Sequence, residues 1–223
     1  MSKSKSIDKR KLPAYSIPEA AHYLNIPGST LRSWVCGDHN MQSVIKLDDK
    51  NNYPVALSFL NLVEAYVLVS LTKDRKVRLQ EVRKALTYVK NKFGYERPLI
   101  DQQFQTDGVY VFIEKYGQLI NASEQGQIAM KSIIEEFLSR IDRDKHGLPI
   151  KLYPITYKSN KAKQPIVIDP NISFGRPILK GTGIPTSILA DRFKAGDSFA
   201  ELAEDYGRTS EEIEEAIRCE LAA

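Results

Sequence analysis

The chain has 223 residues, 42% of them hydrophobic and 27% charged, with a formal net charge of +4. That is enough to bury a real core in one to two domains, or three small ones, and too apolar for wholesale disorder. The longest apolar run, residues 57–71, is broken by Ser58, Asn61, Glu64 and Ser70, which marks a buried helix and not a membrane span.

Residues 1–14, with Lys3, Lys5, Lys9, Arg10 and Lys11, read as a basic arm: a salt-sensitive contact to a polyanion or a solubilising tail. They carry no apolar leader segment, so the cytoplasm is the expected compartment. Ser16 as cap and Pro18 in the first turn open a helix with Ala20, Ala21 and Leu24 on its apolar face. Asn25 to Gly28 break it, and Ser29 is expected to cap a second helix carrying Leu31, Trp34 and Val35 and ending near Gly37. Residues 44–57 predict two short strands around the polar turn 48–52, the pattern of a wing. Helices over about 59–73 and 79–93 follow. The second carries the stripe Leu79, Val82, Leu86, Val89 and Phe93, a core face or a dimer seam.

Residues 98–157 change character. GVYVFIE and QLIN around KYG predict a hairpin, QIAMKSIIEEFLSRI an amphipathic helix and LYPITY a strand. A basic linker ending in proline spans about 158–165. The block 166–223 begins with turns, in which Gly175, Pro177, Gly181, Gly183 and Pro185 set the local backbone, and ends in three short helices. Thr186 is expected to cap the first of these, Ser198 to start the second, and Thr209 with Glu212 to open the third as a capping box. Lys180 precedes the glycines instead of following them, so this is a structural turn and not a phosphate loop. From Asp197 to Ala223 nine acids stand against two bases, a net of −7, leaving +11 on residues 1–196. Such a split fits two different partners, or two solvated faces.

The stretch YSIPEAAHYLNIPGSTLRSWV has the spacing of a helix-turn-helix, which would present Ser29, Thr30, Arg32 and Ser33 to a major groove. Tyr15, Ser16, Ile17, Glu19, Ala21, Leu24, Ile26, Thr30, Leu31, Arg32 and Trp34 resemble the MerR-type winged helix-turn-helix over the first third of the chain. The wing departs from that pattern. Lys46, Lys50 and Asn51 would contact DNA beside Asp48 and Asp49, which must point away from phosphate.

The segments Gly175-Arg176-Pro177, Gly181-Thr182-Gly183-Ile184-Pro185 and Ala195 to Tyr206 look like the domain of unknown function numbered 433, a homeodomain-like fold associated with antitoxins. A helix-turn-helix ahead of it resembles VapB-type antitoxins, whose family partner is a PIN-like ribonuclease toxin. The expected class is therefore mainly α with small β elements: a winged helix-turn-helix over 15–97, a mixed α/β region over 98–157 and a homeodomain-like three-helix domain over 166–223.

The resemblances imply a DNA-binding antitoxin that represses its own operon as a homodimer or higher oligomer and neutralises its toxin by direct contact. The last helix carries Glu211, Glu212, Glu214, Glu215 and Glu220 against Arg218, so it would be repelled by phosphates. Glu211, Glu212, Glu215 and Arg218 are expected to face protein instead. The alternative is a stand-alone MerR-like regulator that senses a small molecule through the middle region. Cys36, Cys219, His22, His39 and His146 have no ligand spacing, and Asp101, Asp107 and Glu114 form no recognisable cluster, so neither an enzyme nor a metal or other cofactor is expected.

Overall fold

The computed structural model describes residues 7–37, 42–49, 53–72, 79–105, 107–120, 122–154 and 165–221. In chain order the elements are β1 (Tyr15–Ser16), α1 (Ile17–Leu24), α2 (Gly28–Cys36), β2 (Ala56–Leu57), α3 (Phe59–Thr72), α4 (Leu79–Phe93), α5 (Asp107–Ile120), α6 (Glu124–Leu138), β3 (Ile141–Arg143), β4 (Pro149–Leu152), β5 (Ile166–Ile168), β6 (Pro177–Leu179), α7 (Thr186–Lys194), α8 (Phe199–Tyr206) and α9 (Ser210–Leu221). The protein is mainly helical with short β elements, as the sequence predicts. Its residues cluster into two compact units that do not follow chain order: one drawn from 1–32, 46–62 and 153–223, the other from 33–45 and 63–152.

The first unit joins the two ends of the chain. β1 pairs antiparallel with β2, Tyr15 opposite Leu57, and α1 lies against this ribbon and against α9. β5 and β6 form a second antiparallel ribbon, Ile166 opposite Leu179. Leu179, Leu189, Leu202, Ile213 and Ile217 close a core with Ile166 beneath α7, α8 and α9. The apolar positions of these three helices recur three and four apart, which turns one face of each inward.

The second unit packs α5 between α4 and α6. Val82, Leu86 and Val89 of the predicted α4 stripe are buried, and Phe112 stacks on Tyr116 within α5 at 5.7 Å between ring centroids. Glu64, buried on α3, receives the Arg97 guanidinium at 2.9 Å. A buried carboxylate needs such a partner to remain ionised. The turn between β3 and β4 is tied by Asp144, which accepts from the amides of His146 (2.9 Å) and Leu148 (3.0 Å). The Arg143 side chain donates to the carbonyls of Ile100 (2.5 Å) and Gly147 (2.7 Å), and burial brings its pKa down to about 10.

Four local expectations are corrected. Residues 107–120 form the single helix α5 and not a hairpin. Val109, Phe112, Ile113 and Tyr116 are all buried, so a helical stripe facing α4 and α6 overrides the strand preference of these aromatic and β-branched residues. The strand expected in LYPITY lies earlier, at Pro149–Leu152; residues 155–157 lie outside the described part. Among the described residues of 44–57 the only strand is β2, and it pairs with β1 instead of closing a wing hairpin. Finally, α7 starts after Pro185 with no side-chain cap. The Thr186 hydroxyl is engaged elsewhere, with the Pro177 carbonyl at 3.2 Å and the Glu220 carboxylate.

Candidate nucleic-acid and partner interfaces

The helix-turn-helix candidate is built by local rules. Ser16 and Glu19 form a reciprocal capping box on α1: Glu19 N–H donates to Ser16 Oγ (3.4 Å) and Ser16 N–H to Glu19 Oε2 (3.3 Å). Asn25 ends the helix in the left-handed region at φ 52°, where its short polar side chain is tolerated. The chain then re-enters a helix at Gly28, so Ser29 sits inside the first turn of α2. Leu31 and Trp34 are buried, at 0% and 3% exposure. Ser29 and Arg32 are exposed, and Thr30 and Ser33 are half-buried. α2 contains no carboxylate.

The segment after α2 is pinned to the start of α3. Asn61, fully buried, donates from Nδ2 to the Lys46 carbonyl (2.9 Å) and accepts from the Asp48 amide (3.2 Å). The Ser58 hydroxyl donates to the Asp48 carboxylate, which holds that carboxylate to the protein. Lys46 remains exposed, as does Tyr53; Lys50 and Asn51 lie outside the described residues. In the basic arm, Arg10 is taken up by Asp8 at 2.8 Å. This hydrogen bond holds the Asp8 carboxyl below the usual carboxylate range. Lys9 and Lys11 share its short helical turn, while Lys3 and Lys5 fall outside the described residues.

The turn-forming residues of the C-terminal block gather around β6. Pro177 opens the strand. Gly175 and Gly181 have φ of 78° and 77°, as a tight turn requires of glycine; Gly183 is not in the left-handed region. Thr182 N–H donates to the Leu179 carbonyl (3.1 Å) and Ile184 N–H to Thr182 Oγ1 (3.0 Å). Both amides are engaged inside the turn. Ile178 bridges to Pro185 as the chain returns.

α9 distributes its charge unevenly. Ile213, Ala216, Ile217 and Cys219 face inward, and burial pushes the Cys219 thiol up to about 12. Glu211 is exposed and Glu215 half-buried. Glu212 completes the capping box with Thr209, accepting from its amide at 3.1 Å. Arg218 pairs with Glu214 one turn away, and Glu220 meets Thr186. Two contacts that sequence reasoning missed tie β1 and α1 to this block. The Tyr15 hydroxyl donates to the Gly175 carbonyl at 2.9 Å, and burial raises its pKa. Glu19 forms an ion pair with Arg176. Burial, and next the Glu220 carboxylate, raise the pKa of Tyr23. No local spacing signals such contacts, because their partners are more than 150 residues apart in sequence.

Among the described residues no group of three or more His, Cys, Asp or Glu is arranged to hold a metal ion, and no helix is long and apolar enough to cross a membrane.

Residues 166–218 match the family described as protein of unknown function (DUF433), from β5 into α9. Beyond this block, the chain is similar over most of its length to a protein named as an antitoxin. Along the chain it is 26% identical over 229 residues to the putative antitoxin VapB45 of Mycobacterium tuberculosis, spanning 92% of this chain and 93% of that relative. The crystal structure of Rv2018 from Mycobacterium tuberculosis is similar with a TM-score of 0.73 and 25% identity, covering 92% of this chain and 98% of that one.

Proposed function

We propose that this protein is an antitoxin of a toxin–antitoxin pair that binds operator DNA through α2 to repress its own operon, and that it neutralises a PIN-like ribonuclease toxin by direct protein contact. The observation that carries the DNA half is the two-sided second helix. Leu31 and Trp34 anchor it, while Ser29 and Arg32 stand exposed on a helix without carboxylates. Hydroxyls and a guanidinium are the groups that meet phosphates and guanine edges. Thr30 and Ser33 flank them, Lys46 and Tyr53 extend the surface in sequence, and the Ser58 hydroxyl engages the Asp48 carboxylate. One short helix reads too few bases to define a site, so a two-fold dimer on paired half-sites is the expected form.

The toxin half is supported by the likeness to a protein named a putative antitoxin and by the acidic C-terminal block, which phosphate would repel. The test of the DNA half is fluorescence anisotropy of the protein with DNA from its own upstream region. Arg32→Ala should weaken binding by about 5- to 150-fold, the value of one good base contact, with its thermal unfolding unchanged. Wild-type affinity in that variant sinks the assignment of α2.

A further inference from the structure

α1 is only eight residues long, and a helix of two turns does not hold its place alone. What it leans on is therefore what fixes it. It packs against the two-residue β1–β2 ribbon and α9, and a polar seam ties it to the C-terminal block. The Tyr15 hydroxyl, on a fully buried side chain, donates to the Gly175 carbonyl at 2.9 Å. Glu19 pairs with Arg176 and accepts from the Tyr23 hydroxyl at 3.2 Å. The Tyr23 ring in turn meets Tyr15 edge-on, with 6.4 Å between centroids. Tyr15, Glu19 and Tyr23, spaced four apart, thus make one line of contacts that ends on Gly175 and Arg176.

α2 inherits its direction from α1. Only Asn25, Ile26 and Pro27 separate the two helices, and that turn is bonded on both sides. Ile26 N–H donates back to the Ala21 carbonyl (3.0 Å), and Leu31 N–H to the Pro27 carbonyl (3.2 Å). Residues 1–32, which include Ser29 and Arg32, cluster in one compact unit with residues 153–223. A displacement at Tyr15 therefore reaches Ser29 and Arg32 along a short, hydrogen-bonded path.

We propose that Tyr15 and Gly175 are positioning residues for operator recognition: the C-terminal block sets, through α1, the angle at which α2 meets the groove. The inference rests on the DNA-binding reading of α2. Tyr15 and Gly175 are both buried, so they act on DNA only through the seam. Hydrogen bonds to base edges depend on the place and tilt of the helix, whereas attraction to phosphates depends chiefly on charge. A tilted α2 thus loses discrimination between sequences more than it loses total affinity. Gly175 is the point at which to drive a wedge, because an added Cβ would overlap the Tyr15 hydroxyl oxygen.

The full-length protein and its Gly175→Ala, Tyr15→Phe, Gly183→Ala and Tyr15→Phe/Gly175→Ala variants are titrated with upstream DNA and with an unrelated duplex of equal length at one salt concentration. None of these changes alters charge, so affinity for the unrelated duplex should stay within about twofold. The ratio of operator to unrelated affinity should fall about tenfold in Gly175→Ala and about threefold in Tyr15→Phe, and hold in Gly183→Ala. The double variant, in which the overlapping oxygen is gone, should recover part of the Gly175→Ala loss. A merely structural role lowers the unfolding temperature but leaves this ratio unmoved in the folded protein. An unchanged ratio in Gly175→Ala, an equal loss on both duplexes or a double variant no better than Gly175→Ala overturns the proposal and leaves the DNA reading standing. Should Gly175→Ala fail to fold, an unchanged ratio in Tyr15→Phe overturns it instead. A wild type that does not discriminate between the duplexes removes both.

Discussion

Gly175 carries more of the C-terminal turn than its neighbours do. Its φ of 78° suits glycine, and a Cβ there would lie 2.3 Å from the Tyr15 hydroxyl oxygen. Gly183, by contrast, has ordinary φ and no atom within 4 Å of an added Cβ. Gly175→Ala is therefore expected to destabilise the protein by about 2 kcal/mol or more, and Gly183→Ala by no more than about 0.5 kcal/mol. Urea unfolding of the two variants checks this; equal effects would contradict the geometry. The ion pair of Glu19 with Arg176 is half-exposed and contributes about 0–1 kcal/mol at most. That the C-terminal block begins with turn glycines is legible in the sequence. That one of them answers to a tyrosine at the opposite end of the chain is not, because nothing local to either residue records it.

Element boundaries were legible wherever a local rule fixes them. Ser16, Ser198 and Thr209 each stand three residues before a glutamate that returns the hydrogen bond. The α8 box is the tightest, with Ser198 N–H donating to Glu201 Oε2 at 2.7 Å and Glu201 N–H to Ser198 Oγ at 3.3 Å. The Ser198 amide, and the Ser198 hydroxyl donating to Glu201 Oε2 at 2.8 Å, hold the Glu201 carboxyl below its usual range. Ser198→Ala should cost about 1 kcal/mol, read as a lower urea midpoint at constant slope; no change would mean that α8 is held by packing alone. Val109, Tyr110, Val111 and Phe112 carry strand preference, and packing by α4 and α6 selects the helix α5 instead. The wing failed for a related reason: Ala56 and Leu57 find their strand partner at Tyr15 and Ser16, some forty residues earlier in the chain.

At the scale of the whole molecule, the linear order of motifs is not the order of packing. α1, the first helix of the helix-turn-helix candidate, shares one compact unit with α7, α8 and α9, where Tyr15, Glu19 and Tyr23 meet the turn and the end of α9. The two motifs were readable one at a time, but their union in one unit was not. The proposed functional division follows charge: α2 is free of acids, whereas the stretch from Asp197 onward carries −7. On the proposed function, these two surfaces serve different partners. It is tested most directly by the Glu211→Lys, Glu212→Lys, Glu215→Lys triple variant, measured for affinity to the co-expressed neighbouring protein and to upstream DNA at one salt concentration. Protein binding should be at least tenfold weaker (about 1.4 kcal/mol), with operator affinity equal to or above that of the wild type. An unchanged protein complex, or loss of DNA binding in a variant that remains folded, would contradict it.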